Sequence, residues 1–325
     1  MTEHVAVPSV TGNSHLPASV EPKLVKGVIR EKLNFKGIIT SDDLWYGYVT
    51  DRFGTEDVAV KALEAGHDIM LKPLDPVAVI KAVSEAVQQG RVSVEQIDES
   101  VYKLLYQKAK LGLHKNRFVD EEKIWQVVGT VAHQAVVKKV ADRSLTLLRN
   151  ENVFPIKNLD PAKTVHIAIA SSNQPNIAEL FGKMATAFPG IANYSLVPNI
   201  NPSNYDVIEK AAEGANTVIL SFFVPGRQLG NTAPIREKDL DLLNKILKKS
   251  TSKTVVAMSY GNPHLINKLD DAPAFLVGYG EGGWFGNQNI YFDSFIDAMK
   301  GKLTPSGKLP VAVSEKYPIG SGLTY

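Results

Sequence analysis

Short apolar runs alternate with longer amphipathic segments along this chain, and this alternation most constrains its fold. In the first third, residues 37–40, 67–71 and 4–9 are apolar runs of strand length. Between the runs 4–9 and 37–40, apolar residues recur at helical spacing from Glu21 to Leu33. A strand followed by a helix, repeated along the chain, is the unit of a parallel sheet. The sequence therefore predicts an α/β fold.

Further helices are predicted in the first third at residues 56–65, 77–89 and 94–110. Thr55 and Ser93 are the expected N-caps of the first and last of these, and Gln96 would complete a capping box with Ser93. A closed barrel needs eight βα units and about 250 residues. Because only three strand candidates precede residue 115, about five units of such a barrel are absent from this sequence.

The remainder of the chain predicts a separate α/β domain. Residues 116–143 are interpreted as a linker and a connecting helix, since the polar part from 114 to 129 lacks a clean period. Residues 144–325 alternate strand and helix patterns, which favours a doubly wound sheet covered on both faces. The predicted strands are 145–148, 165–170, 218–223, 255–259, 275–279 and 309–313, and the predicted helices are 177–188, 205–213 and 238–248.

Composition excludes several classes of function. The chain has 325 residues, enough for two domains, and 44% are hydrophobic against 22% charged, as in ordinary globular proteins. A formal net charge of +2 gives no reason to expect nucleic acid as a partner. No apolar run approaches the roughly 20 residues of a membrane helix. With no cysteine and seven dispersed histidines, neither disulfides nor a metal site is predicted.

The apolar run 37–40 ends in two adjacent carboxylates, Asp42 and Asp43, after Ser41. In parallel α/β folds, catalytic groups lie at the carboxyl ends of strands, so a carboxylate there is a candidate nucleophile or general base. The same Ser-Asp-Asp sequence is also typical of a helix N-cap. Trp45 and Tyr46 follow directly, and aromatic rings there could stack on sugar faces or simply be exposed on a loop.

The flanking sequence resembles the late part of the catalytic barrel of family 3 glycoside hydrolases. Three segments carry this resemblance, in order: MTEHVAVPSV, LPASVEPKLVKGVIREKLNFKGIITSDDL and KALEAGHDIMLKP. RVSVEQIDESVYKLLYQKAKLGL is similar to the helix that closes that barrel, VADRSLTLLRNENVFPI to the entry into the second domain, and SGKLPVAV to a segment near its end. The resemblance implies the C-terminal part of a (β/α)8 barrel in residues 1–115 and an α/β sandwich domain in residues 144–325.

The doublet Asp42-Asp43, preceded by Met-Thr-Glu-His, is more similar to the β-N-acetylglucosaminidase branch than to the β-glucosidase branch. The resemblance implies a retaining hydrolase of terminal β-linked N-acetylglucosamine, with Asp42 as the nucleophile and without a cofactor or metal. The family's acid/base histidine and its sugar-binding lysine–histidine pair belong to earlier motifs that are not present here. A β-glucosidase would take its acid from the second domain, where Glu237 is a candidate, although a first-turn helix acid is the more ordinary interpretation. A non-catalytic binding or structural module is the third hypothesis.

Four further residues are candidates for substrate binding: His4, Asp43, Trp45 and Tyr46. His4 matches a family position beside the nucleophile, but a histidine that satisfies a buried carbonyl is an equal alternative. Asp43 could instead be a cap or the partner of a nearby amide. His67 stands at the amino end of its predicted strand, the face that usually serves stability. Gly-rich turns at 261–263 and 280–283 fit no phosphate-binding motif and are interpreted as turn chemistry.

Met1 matches an internal methionine of the family motif, so we expect the sequence to be an N-terminal truncation. The chain alone is then expected to be nearly inactive, because it lacks the acid/base, while its second domain should fold. A bacterial periplasmic or exported location is favoured over the cytoplasm, with any signal peptide upstream of Met1. The oligomeric state is not predicted.

Overall fold

The chain folds into two compact units, Met1–Glu121 and Glu122–Tyr325. This architecture comes from a computed structural model. The structure describes residues 1–171, 176–224, 235–248, 252–280 and 288–325. Each unit has its own buried apolar clusters, as the length of the chain predicts.

Helices account for most of the first unit. Its α-helices are α1 Pro8–Thr11, α2 Gly47–Phe53, α3 Thr55–Ala65, α4 Pro76–Gln88 and α5 Val94–Lys110. A short 3-10 helix spans Ala18–Val20, and the segment predicted as a helix at 21–33 is a π-helix from Lys23 to Lys32. The apolar side chains of these helices form the buried clusters around α3.

Three extended segments of the first unit lie side by side and are joined by single parallel bridges. Thr2 bridges to Ser41, and Thr40 bridges to Ile69. The predicted runs 37–40 and 67–71 therefore do pair in parallel, although as isolated bridges and not as a continuous ladder. The predicted strand 4–9 is wrong, since Pro8 begins α1. Proline suits the first turn of a helix because its fixed φ is helical and its missing amide is not needed there.

The helix ends of the first unit differ from the predicted capping in two places. Gly54, not Thr55, is the N-cap of α3, with φ of 79° and no side-chain hydrogen bond. Ser93 caps α5 as predicted, and its hydroxyl accepts from the Gln96 amide at 3.1 Å. The predicted capping box is not formed, because the Gln96 side chain donates to the carbonyl of Leu63 instead.

The second unit is a mixed six-stranded sheet with helices on both faces. Its strands are β1 Thr146–Asn150, β2 Thr164–Ala170, β3 Ala192–Leu196, β4 Thr217–Phe223, β5 Thr254–Ser259 and β6 Ala274–Val277. Its helices are α6 Ile124–Val127, α7 Val131–Ser144, α8 Asn176–Ala187, α9 Ser203–Gly214, α10 Glu237–Leu247 and α11 Phe292–Met299. Short 3-10 helices span Glu121–Lys123, Pro161–Lys163, Pro263–Lys268 and Gln288–Tyr291.

The strand order is β1-β6-β5-β4-β2-β3, with β1 antiparallel to β6 and the other neighbours parallel. Helices α9 and α10 bury their apolar sides in the cluster on one face, and α7, α8 and α11 contribute to the cluster on the other. In β4, Leu220 and Phe222 lie in the first cluster while Ile219 and Phe223 lie in the second. The predicted α/β fold is confirmed, with a mixed sheet of six strands.

In the second unit one strand prediction is wrong, and one strand was not predicted. Residues 309–313 form no strand, and Leu309 instead exchanges backbone hydrogen bonds with Gly320 and Ser321. Pro310 follows directly and cannot donate to a ladder. The strand β3 was not predicted, because its sequence ANYSL is short and contains polar residues of weak strand preference.

A buried arginine ties the end of the chain to the sheet of the second unit. Arg149, on β1, is only 6% exposed. Its guanidinium donates to the carbonyls of Leu269 and Ala272 at 2.9 Å each and to the carbonyl of Asp270. It also donates to the Tyr317 hydroxyl at 2.9 and 3.1 Å. These acceptors are neutral, and the exposed carboxylate of Asp270 adds an ion pair at 3.9 Å, so Arg149 acts mainly through its fork of hydrogen-bond donors.

Candidate active site

Asp42 directly follows the bridged part of its segment in the first unit. Its backbone amide donates to the carbonyl of Thr2 at 3.0 Å, and the amide of Leu44 donates to Leu71 at 2.9 Å. The Leu71 amide in turn donates to the Ser41 hydroxyl at 2.9 Å. The turn that holds Asp42 is therefore attached to both neighbouring segments through backbone groups, which makes its position independent of mobile side chains.

The carboxylate of Asp42 is half-buried and fixed by its own neighbour. One of its oxygens accepts the backbone amide of Asp43 at 2.8 Å. An oriented carboxylate at the carboxyl end of an extended segment can act as a nucleophile or a general base.

A buried charge cluster fixes the start of the segment that leads to Asp42. The carboxylate of Asp68 accepts from the Ile39 amide at 2.8 Å, from Ser100 at 2.9 Å and from Lys103 at 3.2 Å, and it pairs with Arg30. Burial by itself would raise the pKa of Asp68, but these donors and the two cations together hold it below its ordinary value. Asp68 thus anchors the amino end of the segment whose other end carries Asp42.

His4 lies beside the carboxylate doublet, and both of its ring nitrogens have partners. Nε2 donates to the carbonyl of Asp43 at 2.9 Å, which leaves Nδ1 to accept from the Ser19 hydroxyl at 2.6 Å. With both nitrogens engaged and the side chain buried, His4 holds the backbone after Asp42 in place. This arrangement matches the structural alternative considered for His4, with the bonded carbonyl belonging to the site itself.

Asp43 binds two side chains through one oxygen. Its Oδ2 accepts from Trp45 Nε1 at 3.0 Å and from Lys72 Nζ at 3.1 Å. The Lys72 ammonium also lies over the Trp45 ring, 4.4 Å from its centroid. The sequence analysis missed Lys72, because nothing in its local sequence connects it with a carboxylate 29 positions earlier.

Aromatic rings line this part of the first unit. Trp45 and Tyr46 have ring centroids 5.8 Å apart, and Tyr46 stacks on Tyr48 at 6.1 Å. Tyr48, which the sequence analysis did not single out, lies edge-on to His4 at 5.3 Å. Burial, followed by the charges of Asp42 and Glu3, raises the pKa of Tyr48 to about 12. The phenol stays protonated at neutral pH and remains a hydrogen-bond donor near the nucleophile candidate.

Glu3 is the second site residue that the sequence analysis missed. The bridge between Thr2 and Ser41 makes Glu3 the lateral neighbour of Asp42, and in paired strands such neighbours project to the same side. The Asp42 carboxylate raises the pKa of Glu3 by its charge, with smaller contributions from burial and from a hydrogen bond between the two carboxyl groups. The pattern of paired segments, not a local motif, was the signal that could have found it.

The position of Glu3 beside Asp42 decides what Glu3 can do. In a retaining glycosidase the nucleophile and the acid lie about 5–5.5 Å apart, on either side of the reacting bond. Glu3 is the lateral neighbour of Asp42 on the adjoining segment and projects to the same side, so it is not placed across the reacting bond from the nucleophile candidate.

We expect the substitution Glu3→Gln to change the pH dependence of stability. The pKa of Glu3 in the folded protein lies above its ordinary value of 4.5. The contribution of the Glu3 carboxyl group to the free energy of unfolding is therefore fully present below that value, and it is lost as the pH rises through the folded pKa. The variant should therefore gain in free energy of unfolding relative to wild type between about pH 4 and pH 7. Urea titrations across this range measure the difference. In an Asp42→Asn background the gain should vanish, and its persistence there would show that Asp42 is not the cause.

The remaining sequence candidates lie apart from this group. His67 is buried, with Nδ1 bonded to the carbonyl of Ala62 at 2.8 Å and Nε2 in contact with the Thr2 hydroxyl at 2.6 Å. Burial lowers the pKa of His67, which indicates a neutral structural histidine. Glu237 is the exposed first residue of α10 in the second unit. In the turn predicted at 261–263, Asn262 caps the following 3-10 helix, and of the turn at 280–283, residues 281–283 lie outside the described residues.

Within the described part of the chain, no group of three or more histidine, aspartate or glutamate side chains is placed to hold a metal ion. In the same residues, no helix combines the length and apolar character needed to cross a bilayer.

Comparison with known proteins shows which family the first third of the chain resembles. Residues 1–106 match the family model described as Glycosyl hydrolase family 3 N terminal domain. A probable beta-glucosidase C from Aspergillus flavus is 26% identical over 310 residues, which cover 90% of this chain and 43% of that protein. A beta-N-acetylglucosaminidase/beta-glucosidase from Cellulomonas fimi is 27% identical over 150 residues, or 46% of this chain and 27% of that protein.

A solved structure agrees at the level of the fold. The family 3 beta-N-acetylglucosaminidase from Paenibacillus sp. str. FPU-7 aligns with a TM-score of 0.76 and 22% identity, over 94% of this chain and 57% of that one. Together these findings show that residues 1–106 are similar to the N-terminal domain of glycoside hydrolase family 3, and that the chain is similar in fold to a solved enzyme of that family. The chain spans less than half the length of the Aspergillus relative.

Proposed function

We propose that the protein is a retaining glycoside hydrolase of family 3 with Asp42 as its nucleophile, acting on terminal β-linked N-acetylglucosamine. The observation that supports this most directly is the placement of Asp42. Its carboxylate follows a parallel-bridged segment, is oriented by the Asp43 amide and is held by backbone bonds on both sides. A nucleophile must be rigidly placed because misplacement by about 1 Å costs on the order of 10²-fold in rate.

In the proposed reaction, a carboxylate oxygen of Asp42 attacks the anomeric carbon while the bond to the leaving oxygen breaks. The resulting glycosyl ester is then hydrolysed by water, which restores the carboxylate. The transition state resembles an oxocarbenium ion, so a nearby negative charge stabilises it. Trp45 and Tyr46 would supply apolar ring faces against which a sugar can stack.

The leaving oxygen needs a proton donor, and none of the residues around Asp42 described above has the required placement. Both nitrogens of His4 are bonded, and Glu3 is the lateral neighbour of Asp42 on the same side of the paired segments. We therefore propose that an acid from outside this group completes the site. Removing a general acid typically lowers the rate 10²–10⁴-fold, so the chain alone should be slow on substrates with poor leaving groups.

A β-glucosidase of the same family is the second candidate. It is favoured by the relative from Aspergillus flavus, which matches this chain over 90% of its length and carries that activity in its name. The two candidates share the nucleophile and differ in the group that they accept at carbon 2 of the sugar. A substrate pair that differs only there distinguishes them.

Covalent trapping tests this proposal without requiring the missing acid. A 5-fluoro glycosyl fluoride has a leaving group that departs with little protonation, and its ring fluorine slows hydrolysis of the ester by destabilising the oxocarbenium-like transition state. We expect intact-mass spectrometry to show one added glycosyl group, and peptide mapping to place it on Asp42. The N-acetylglucosamine-type reagent should label faster than the glucose-type reagent.

Matched variants show which carboxylate carries the label. Asp42→Ala should remove the label, while Asp43→Asn should keep it. Because both variants change a carboxylate in the same turn, the difference between them isolates the nucleophile. Faster labelling by the glucose-type reagent would transfer the assignment to the β-glucosidase. Absence of label with both reagents would overturn the proposal in favour of a non-catalytic module.

A further inference from the structure

We propose that Lys72 is a positioning residue of this site, which holds the indole of Trp45 in place beside the nucleophile through Asp43. The inference rests on the proposed function for its purpose, but its geometry stands on contacts within the first unit. It adds to the site a residue on a different segment from the one that bears Asp42.

Three contacts connect Lys72, Asp43 and Trp45 in a closed set. The Lys72 ammonium and the Trp45 indole N–H both donate to Oδ2 of Asp43, at 3.1 and 3.0 Å. The ammonium also lies 4.4 Å from the centroid of the Trp45 ring, within the range of a cation–π contact. Each pair is modest alone, but an indole held at its N–H and on one ring face has little freedom to rotate.

The backbone at Lys72 supports a specific role. Its φ is 49°, a left-handed conformation that L residues other than asparagine, aspartate and glycine adopt rarely. Pro73 follows, and a proline normally restricts the residue before it to extended conformations. Strained backbone of this kind persists where the surrounding structure determines it, and it clusters at functional sites.

The segment before Lys72 is tied to the segment of Asp42 by two hydrogen bonds of the Leu71 backbone, one of them to a side chain. Leu71 donates its amide to the Ser41 hydroxyl at 2.9 Å and accepts the Leu44 amide at 2.9 Å. The backbone at Lys72 therefore lies at a fixed distance from the turn that contains Asp42 and Asp43. Its side chain is 57% exposed while that of Asp43 is 20% exposed, so the ammonium approaches the carboxylate from the solvent side.

These contacts would give the Trp45 ring a defined orientation as a platform for a sugar. Trp45 remains 38% exposed, so part of its ring is open to a ligand. A ring that is already held loses less conformational entropy when a sugar stacks on it, which raises affinity. Lys72 thus acts on the substrate through Trp45 and does not take part in bond making or breaking.

The test follows the indole of Trp45 directly in the full chain. In a Trp125→Phe/Trp284→Phe background, Trp45 is the single tryptophan, so its Nε1–H resonance and its acrylamide quenching report on this site alone. We expect Lys72→Met to move the resonance toward the position of a free indole and to increase quenching. Lys72→Arg should restore both readouts. Lys81→Met, at an exposed lysine of α4, is the matched control and should leave both unchanged.

A saccharide titration separates this inference from the proposed function. With N,N′-diacetylchitobiose as probe, Lys72→Met should weaken the response of the Trp45 resonance about fivefold in dissociation constant, the size of one exposed cation–π contact. An indole signal unaffected by Lys72→Met would overturn the inference, whatever the sugar does. If the variant moves the indole but the unmodified site shows no response to the sugar, the positioning role stands and the proposed substrate fails.

Discussion

Replacing Asp42 by alanine should lower glycosidase turnover by several orders of magnitude. The effect is expected in a form of the protein that includes the outside acid proposed above. The substitution removes the group that forms the covalent intermediate, and the loss of a nucleophile is among the largest single effects known in enzymes. Turnover of p-nitrophenyl N-acetylglucosaminide, followed at saturating substrate, measures it. Asp42→Ala changes a half-buried side chain at the end of a segment whose bonds to its neighbours are made by the backbone, so the fold should persist.

The matched control for this experiment is Asp43→Asn. It keeps the shape of the side chain and an oxygen that can accept from Trp45, but it loses the charge that attracts Lys72. We expect a modest change in KM and a turnover within about tenfold of wild type, since Asp43 supports binding and not bond formation. If Asp43→Asn were as damaging as Asp42→Ala, the assignment of the nucleophile within the doublet would have to be reversed.

Replacing Arg149 by methionine should destabilise the second unit by about 3–5 kcal/mol. Methionine fills much of the same volume but leaves the buried carbonyls of Leu269 and Ala272 without their donors. Each buried polar group without a partner costs about 1–3 kcal/mol. Urea unfolding, followed by far-ultraviolet circular dichroism, measures the change in free energy.

Tyr317→Phe provides the comparison for Arg149. It removes a single acceptor of the same guanidinium and leaves the carbonyl contacts intact, so the expected loss is about 1–2 kcal/mol. A variant of Arg149 that is no less stable than Tyr317→Phe would mean that water replaces the guanidinium at those carbonyls. The ratio of the two effects is therefore more informative than either value alone.

Periodicity in the sequence was enough to predict most elements of the second unit. The strands β2, β4 and β5 are mostly apolar because they are buried on both faces, and such short runs are hard to mistake for helices when flanked by turns. β3 was missed because its residues are only partly buried and bear polar side chains. The false strand at 309–313 has apolar residues for a different reason: Leu309 and Val313 are covered by the core without joining the sheet.

The site was only partly predictable, because its parts are far apart in sequence. Asp42, Asp43 and Trp45 stand together in one motif, so a single reading of that motif finds all three. Glu3 and Lys72 reach the same place only through the parallel bridges of the first unit, and single bridges leave little pattern in a sequence. Their roles depend on distances that no spacing rule provides.

Backbone pairing within the first unit differs from backbone pairing within the second. The central strands of the second unit share long parallel ladders, whereas the segments around Asp42 meet through isolated bridges. Regions with few shared backbone hydrogen bonds open locally at a small cost in free energy, far below that of global unfolding. Amide protons around Asp42 would then exchange with solvent well before those of β4. We expect the segment that carries the proposed nucleophile to open before the sheet of the second unit, so that its geometry is lost on warming while the sheet is still intact.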